Sequence, residues 1–158
     1  MPEDHQLEYN AALKRAAALC SSQEQCSSHI REKLNSWNLS EEDAERIIDL
    51  LKKEKFLDDT RYATFYVRDK FRFNGWGKIK LTVMLRQKNI PPHIIDEAIG
   101  QLDPEDYFQT CTRLISEKSA SLKESNQFRR KGKLFRFALQ RGFESDLIHR
   151  ILNMEESG

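Results

Sequence analysis

Three stretches of the 158-residue chain share one grammar: LNSWNLSEEDAERII, LRQKNIPPHIIDEAI and ALQRGFESDLIHRIL. In each, a helical pattern stops at Asn38, Asn89 or Gly142. These residue types tolerate the left-handed backbone that closes a helix. An apolar residue follows at once, Leu39, Ile90 or Phe143, where a Schellman-type end places its hydrophobic contact. The next helical pattern then sets Ala44, Ile95 and Ile148 at one shared offset. Ile47, Ala98 and Ile151 follow, and then Ile48, Ile99 and Leu152. The apolar residues after the three stops lie 51 and 53 positions apart. Such self-similarity predicts a tandem array of three units, each of about three helices. A unit of that size carries little core, so neighbours should share one. The expected fold is all-α: three tandem three-helix repeats forming an elongated curved array. The expected divisions are a disordered N-terminus over 1–8 and repeats over 9–57, 58–102 and 103–154.

Local signals place the helices inside this frame. The first runs from Tyr9 to Cys20, with Leu13, Ala16, Ala17 and Cys20 on one face. Ser22 and Gln25 have the spacing of a capping box for the second, which carries Cys26, Ile30 and Leu34 as a stripe. Ser40 opens a third helix with acidic residues at its start and lysines at its end, the order the helix dipole favours. Asp58 or Asp59 caps a fourth that runs to about Phe73 and ends at Asn74-Gly75-Trp76-Gly77. Leu81 and Leu85 face inward on a fifth, Pro91 or Pro92 opens a sixth, and Asp103-Pro104 opens a seventh. Ser119 to Gln127 reads as a loop, Phe128 to Gln140 as a basic helix, and Ser145 to Met154 as the last helix. Tyr62, Tyr66, Phe71 and Phe108 are expected in the core.

The composition agrees with a helical protein. It is 32% charged and 39% hydrophobic, with 6 Gly and 4 Pro. Net charge is +1, but its distribution is uneven. Thr60 to Gly100 carries 8 Lys and Arg against 3 Asp and Glu, whereas Met1 to Asp59 carries 8 against 13. A basic centre suits an anionic partner. No apolar run approaches the roughly 18 residues of a membrane span, and no signal peptide is expected. Cys20, Cys26 and Cys111 lack metal-ligand spacing, so reduced thiols and a cytoplasmic location are expected.

Candidate chemistry is sparse. Asp58 and Asp59 could form a catalytic carboxylate pair, but their place at a helix start makes capping the better reading. His5, His29, His93 and His149 have no metal spacing. No nucleophile–base arrangement or phosphate-cradling glycine loop is visible. No catalysis, metal or cofactor is therefore expected. The candidate partner-binding residues are Arg68, Lys70, Arg72, Lys78, Lys80, Arg86 and Lys88, on two helices around one elbow. Arg129, Arg130, Lys131, Lys133 and Arg136 form a second basic set. Arginine grips carboxylates or phosphates with two bonds, and lysine supplies a mobile charge. Trp76 reads as a packing wedge.

The run FLDDTRYATFYV, then GWGKIKLTVMLRQKNI, then FALQRGFESDLIHRIL resembles the RecX family of bacterial modulators of the RecA recombinase. The shared pattern is an Asp-Asp pair before an aromatic-Ala helix, a Gly-Lys-x-x-Ile/Leu start, a leucine before the helix stop, and Arg-Gly-Phe near the C-terminus. It extends from about Tyr9 to Leu152. Asn38 and Asn89 stand where the family usually has glycine. The resemblance implies three three-helix units, no cofactor and no catalysis. It implies a monomer that binds the RecA–single-stranded DNA filament and restrains its growth, ATP hydrolysis and strand exchange. The alternative reading is a helical-repeat protein that binds single- or double-stranded DNA directly, without a RecA partner.

Overall fold

The chain turns into the left-handed region at five places: Asn38 (φ 64°), Lys55 (φ 63°), Gly75 (φ 65°), Asn89 (φ 60°) and Gly142 (φ 96°). The three expected repeat stops are among them. The computed structural model describes the backbone from residue 2 to residue 157 and the side chains of residues 4–154. The described residues form nine helices and no strand: α1 (Pro2–Ser22), α2 (Ser27–Ser36), α3 (Glu41–Lys53), α4 (Asp59–Asn74), α5 (Lys78–Gln87), α6 (Pro92–Gly100), α7 (Pro104–Ser121), α8 (Gln127–Gln140) and α9 (Ser145–Ser157).

At Asn38 and Gly142 the stop has the full Schellman pattern. Leu39 N–H donates to the Leu34 carbonyl and Asn38 N–H to that of Asn35; Phe143 N–H donates to Ala138 and Gly142 N–H to Leu139. Lys55 closes α3 in the same way, through Phe56 to Leu51 and Lys55 to Lys52. The sequence offered no cue for that stop, because lysine carries no preference for positive φ.

The backbone groups into two units: Met1–Ala63 with Lys88–Ile90, and Thr64–Gln87 with Pro91–Gly158. In the first, Ala12 and Ala16 of α1 pack on Ile30 and Leu34 of α2 and on Ala44, Ile47, Ile48 and Leu51 of α3. Alanines on α1 let the three helices approach closely. Each buried Leu or Ile contributes roughly 1.5–3 kcal/mol relative to exposure. Ser40 caps α3 as expected, its Oγ accepting from Asp43 N–H at 3.2 Å.

Two expectations for this unit are corrected. Residues 1–8 were expected to lack structure, yet α1 is helical from Pro2. Its early turns are held by side chains: Gln6 Nε2 donates to Asn10 Oδ1 at 3.0 Å, and His5 Nε2 lies 2.8 Å from the buried Asp43 carboxylate. The Ser22–Gln25 capping box does not form. Ser22 ends α1 and its Oγ donates to the Leu19 carbonyl at 2.8 Å. α2 starts at Ser27, where Cys26 supplies no side-chain cap.

The cap of α2 comes from α4. Asp59 Oδ1 accepts from Ser27 N–H and Oδ2 from Ser27 Oγ, both at 2.8 Å. Asp58 caps α4 itself, accepting from Arg61 N–H at 3.0 Å. The Asp-Asp pair thus serves two helix starts, and each carboxylate meets orphan amides at the positive end of a dipole. Arg61 completes the junction: its Nε lies 2.7 Å from Glu24 Oε1, and its guanidinium donates to the Lys55 and Phe56 carbonyls.

In the second unit the core is aromatic and aliphatic. Tyr107 stacks near Phe71 (5.8 Å between centroids) and Phe143 (5.3 Å), with Cys111, Ile115, Leu134, Ala138, Ile148 and Ile151 around them. Asp103 caps α7, accepting from Asp106 N–H at 2.8 Å, and Pro92 occupies the first turn of α6. Of the aromatic residues expected in the core, Phe71 is buried, whereas Tyr62, Tyr66 and Phe108 are half-buried.

Candidate partner-binding surface

The sequence Asn74-Gly75-Trp76-Gly77 joins α4 to α5 against the turn between α8 and α9. Gly77 N–H donates to the Arg141 carbonyl at 2.7 Å, and Ile79 N–H donates to the Gly142 carbonyl at 2.9 Å. A Cβ on Gly77 would lie far inside van der Waals contact of the Gly142 carbonyl, and a Cβ on Gly142 would strike Lys80. Two glycines are therefore required so that two backbones can meet. Arg141 also reaches back with Nη1, which donates to the Asn74 carbonyl at 2.6 Å and satisfies the end of α4. Phe143 is 1% exposed in the core. Each residue of Arg141-Gly142-Phe143 thus has a separate structural task.

Tyr107 locks the start of α5. Its hydroxyl accepts from Lys78 N–H at 2.9 Å and donates to Glu144 Oε1. Burial, and then the hydrogen bond to Glu144, push the Tyr107 hydroxyl well above its ordinary pKa. Burial and the Glu144 charge push the neighbouring Cys111 thiol up to about 12.

On this frame the basic residues separate into roles. Trp76 is half-buried and receives Lys70 (Nζ 5.2 Å from the ring centroid) and Lys80 (4.5 Å), with Tyr66 at 6.2 Å. Cation–π contacts of this kind hold ammonium groups in place without removing their charge. Arg68 lies 5.8 Å over Phe65 and Arg72 5.5 Å from Phe73. Phe65 is 42% and Phe73 75% exposed, so α4 presents two arginines, each beside an exposed aromatic ring. Arg86 is exposed on α5. Lys78 is drawn elsewhere, its Nζ 4.7 Å over the Tyr107 ring. Lys88 falls in the first unit, where its carbonyl accepts from Ser28 Oγ.

The second basic set divides likewise. Arg129 is exposed. Arg130 is consumed by the loop before α8: it donates to the carbonyls of Leu122 (3.2 Å), Glu124 (3.1 Å) and Ser119, and to Ser119 Oγ (2.7 Å). Lys133 pairs with Glu124 at 3.4 Å. Backbone N–H groups, chiefly Asn126, and Lys133 hold the Glu124 carboxyl below its ordinary pKa. Among the described residues no group of His, Cys, Asp and Glu is placed to hold a metal ion, and no helix is long and apolar enough to cross a membrane. Cys20, Cys26 and Cys111 are free thiols.

The fold first defines a class: an all-α helical-repeat protein. Comparison with known proteins narrows it. Sequence models of the RecX second and third three-helix domains match residues 58–99 and 105–152. A regulatory protein RecX from Prosthecochloris aestuarii is 32% identical over 142 residues, covering 90% of this chain and 91% of its own. One from Clostridium botulinum is 34% identical over 121 residues, covering 75% of this chain and 56% of its own. A crystal structure of regulatory protein RecX superposes with a TM-score of 0.87 at 27% identity, covering 95% of this chain and 74% of that one. A RecX structure from Lactobacillus salivarius shares the fold over the full length of both chains, with a TM-score of 0.84 at 22% identity. The chain belongs to the RecX family. It spans between 56% and 68% of the length of the clostridial relatives it matches.

Proposed function

We propose that this chain is a non-enzymatic regulator that binds the RecA–single-stranded DNA filament and inhibits ATP hydrolysis, strand exchange and filament growth. The observation that carries the reading is the pair of exposed arginines on α4. Arg68 and Arg72 follow one another along α4 between exposed Phe65 and Phe73, and separately Trp76 steadies Lys70 and Lys80. Such a surface suits a filament of protein and nucleic acid, which offers carboxylates, phosphates and apolar contacts together. Membership of the RecX family supports it. The protein acts as a monomer, and its working units are the three-helix repeats 9–57, 58–102 and 103–154. The test is the ATPase rate of cognate RecA on single-stranded DNA with micromolar amounts of this protein. A falling rate with co-sedimentation is expected; an unchanged rate with no association refutes the proposal.

The two exposed Arg–Phe pairs on α4 also favour a second reading, direct binding of single-stranded DNA. Bases would stack on Phe65 and Phe73 while Arg68 and Arg72 meet phosphates. About five phosphate contacts would give a log–log salt slope near −3.5. Weak binding to naked DNA that barely responds to salt eliminates this reading.

A further inference from the structure

The charged side chains that line the groove between α8 and α9 are basic. Phe128, Gly132 and Phe135 fall at i, i+4 and i+7 on α8, and His149 and Leu152 of α9 complete the lining. The groove encloses about 490 Å³. Arg129, Lys131, Lys133 and Arg136 line it with no carboxylate among the lining residues, and Glu124, outside the lining, pairs with Lys133. Phe128, at 87%, is the most exposed large apolar side chain among the described residues.

Gly132 keeps the floor of this groove open. A Cβ there would meet only Arg136 Nη1, at an ordinary 3.7 Å, and its φ is not positive. Neither packing nor backbone conformation requires glycine at this position, and glycine inside a helix is less favourable than alanine. The space it leaves is unused by the fold. One wall is already set, because Phe135 stacks on His149 with centroids 4.7 Å apart and planes at 29°. That stack holds Phe135 against α9 as one wall of the groove.

The geometry points to this groove as a docking site for an acidic peptide segment of a partner protein, anchored by one bulky apolar residue. The anchor enters over Gly132 between Phe128 and Phe135. Carboxylates flanking it meet Arg129 and Arg136, whose planar guanidinium groups bind carboxylates through paired hydrogen bonds. An apolar anchor in a helical groove with a charged rim is a recurring mode of peptide capture. Nucleic acid fits less well, because His149 already covers one face of Phe135 and leaves Phe128 as the main stacking surface. The inference goes beyond the filament reading and is tested on the full chain alone.

The probe is a fluorescein-labelled synthetic peptide of Asp and Glu with one central Phe, followed by anisotropy. A matched peptide with Ala at the centre and an oligothymidylate serve as comparisons. The Phe peptide is expected to bind, and the Ala peptide at least tenfold more weakly. Gly132→Leu fills the groove with a better helix former, so it should keep full helicity and weaken the Phe peptide at least tenfold. Arg129→Glu with Arg136→Glu should do the same, and oligothymidylate should not compete. No binding, equal binding of the two peptides, unchanged binding by Gly132→Leu, or displacement by equimolar oligothymidylate would each overturn the assignment. No recombinase enters this assay, so its failure leaves the filament reading to its own test.

Discussion

The Asp59 carboxylate grips Ser27 twice across 32 positions of sequence, one oxygen on the amide and the other on the hydroxyl, each at 2.8 Å. Asp58, its neighbour, serves only its own helix. The two substitutions should therefore differ. Asp58→Ala removes an N-cap and should cost about 1 kcal/mol. Asp59→Ala removes two charge-assisted bonds and leaves the α2 start uncapped, an expected loss of about 2–3 kcal/mol. Urea unfolding of both variants checks the order. A Ser27→Ala, Asp59→Ala cycle should show coupling of at least about 0.5 kcal/mol, as residues in direct contact do.

Glycine-to-alanine substitutions should separate sharply by site. Gly77→Ala must displace the backbone at Gly142, and an expected loss of about 3 kcal/mol follows from overpacking against atoms that cannot rotate away. At Gly100 a Cβ meets nothing within 4 Å, and the φ is not positive. Gly100→Ala should thus raise stability by up to about 1 kcal/mol. Thermal melts of the two variants should move in opposite directions.

For the proposed filament contact, the informative triple substitution is Arg68→Ala, Arg72→Ala, Lys80→Ala. Lys78 is omitted because its ammonium packs over Tyr107, so its loss would disturb the core. The triple variant should lose most RecA inhibition while its stability stays within about 0.5 kcal/mol for each exposed arginine and falls by about 0.5–1 kcal/mol for Lys80, which packs over Trp76. Retained inhibition with stability in that range would show that α4 and α5 are not the contact.

Stability should fall in alkali. Cys111 is raised from 9.0 to about 12 and Tyr107 is raised from 10.0. Both groups are thus more readily ionised in the unfolded chain than in the folded one. Their contribution is complete below the unfolded values and is lost as pH rises, between about 9 and about 12 for Cys111 and from about 10 upward for Tyr107. Melting temperatures from pH 7.5 to 11.5, taken at roughly half-unit steps, test this. Cys111→Ala should flatten the first part of the decline.

Much of the fold was legible because a few positions admit few residue types. Asn38, Asn89 and Gly142 each adopt the positive φ that their chemistry suggested. Ser40, Asp58 and Asp103 cap the helices they precede. The signals that failed are those whose partner is distant or whose residue type is neutral. Nothing local assigns Asp59 to Ser27, and nothing marks Lys55 as a stop; Phe56 N–H bonding to Leu51, with Leu57 buried beyond it, fixes that turn. The same limit applies to the basic surface. A run of cations reads alike in sequence, but Arg130 binds carbonyls of the loop before its helix and Lys78 lies on Tyr107, whereas Arg68 and Arg72 stand beside exposed rings.

The contact between Gly77 and the Arg141–Gly142 carbonyls has a mechanical meaning. Two amide–carbonyl bonds, from Gly77 and Ile79, lie side by side and share any load that would slide the start of α5 past the α8–α9 turn. Side chains can swing aside under force; these backbones cannot. The joint transmits a pull along the backbone as a rivet does.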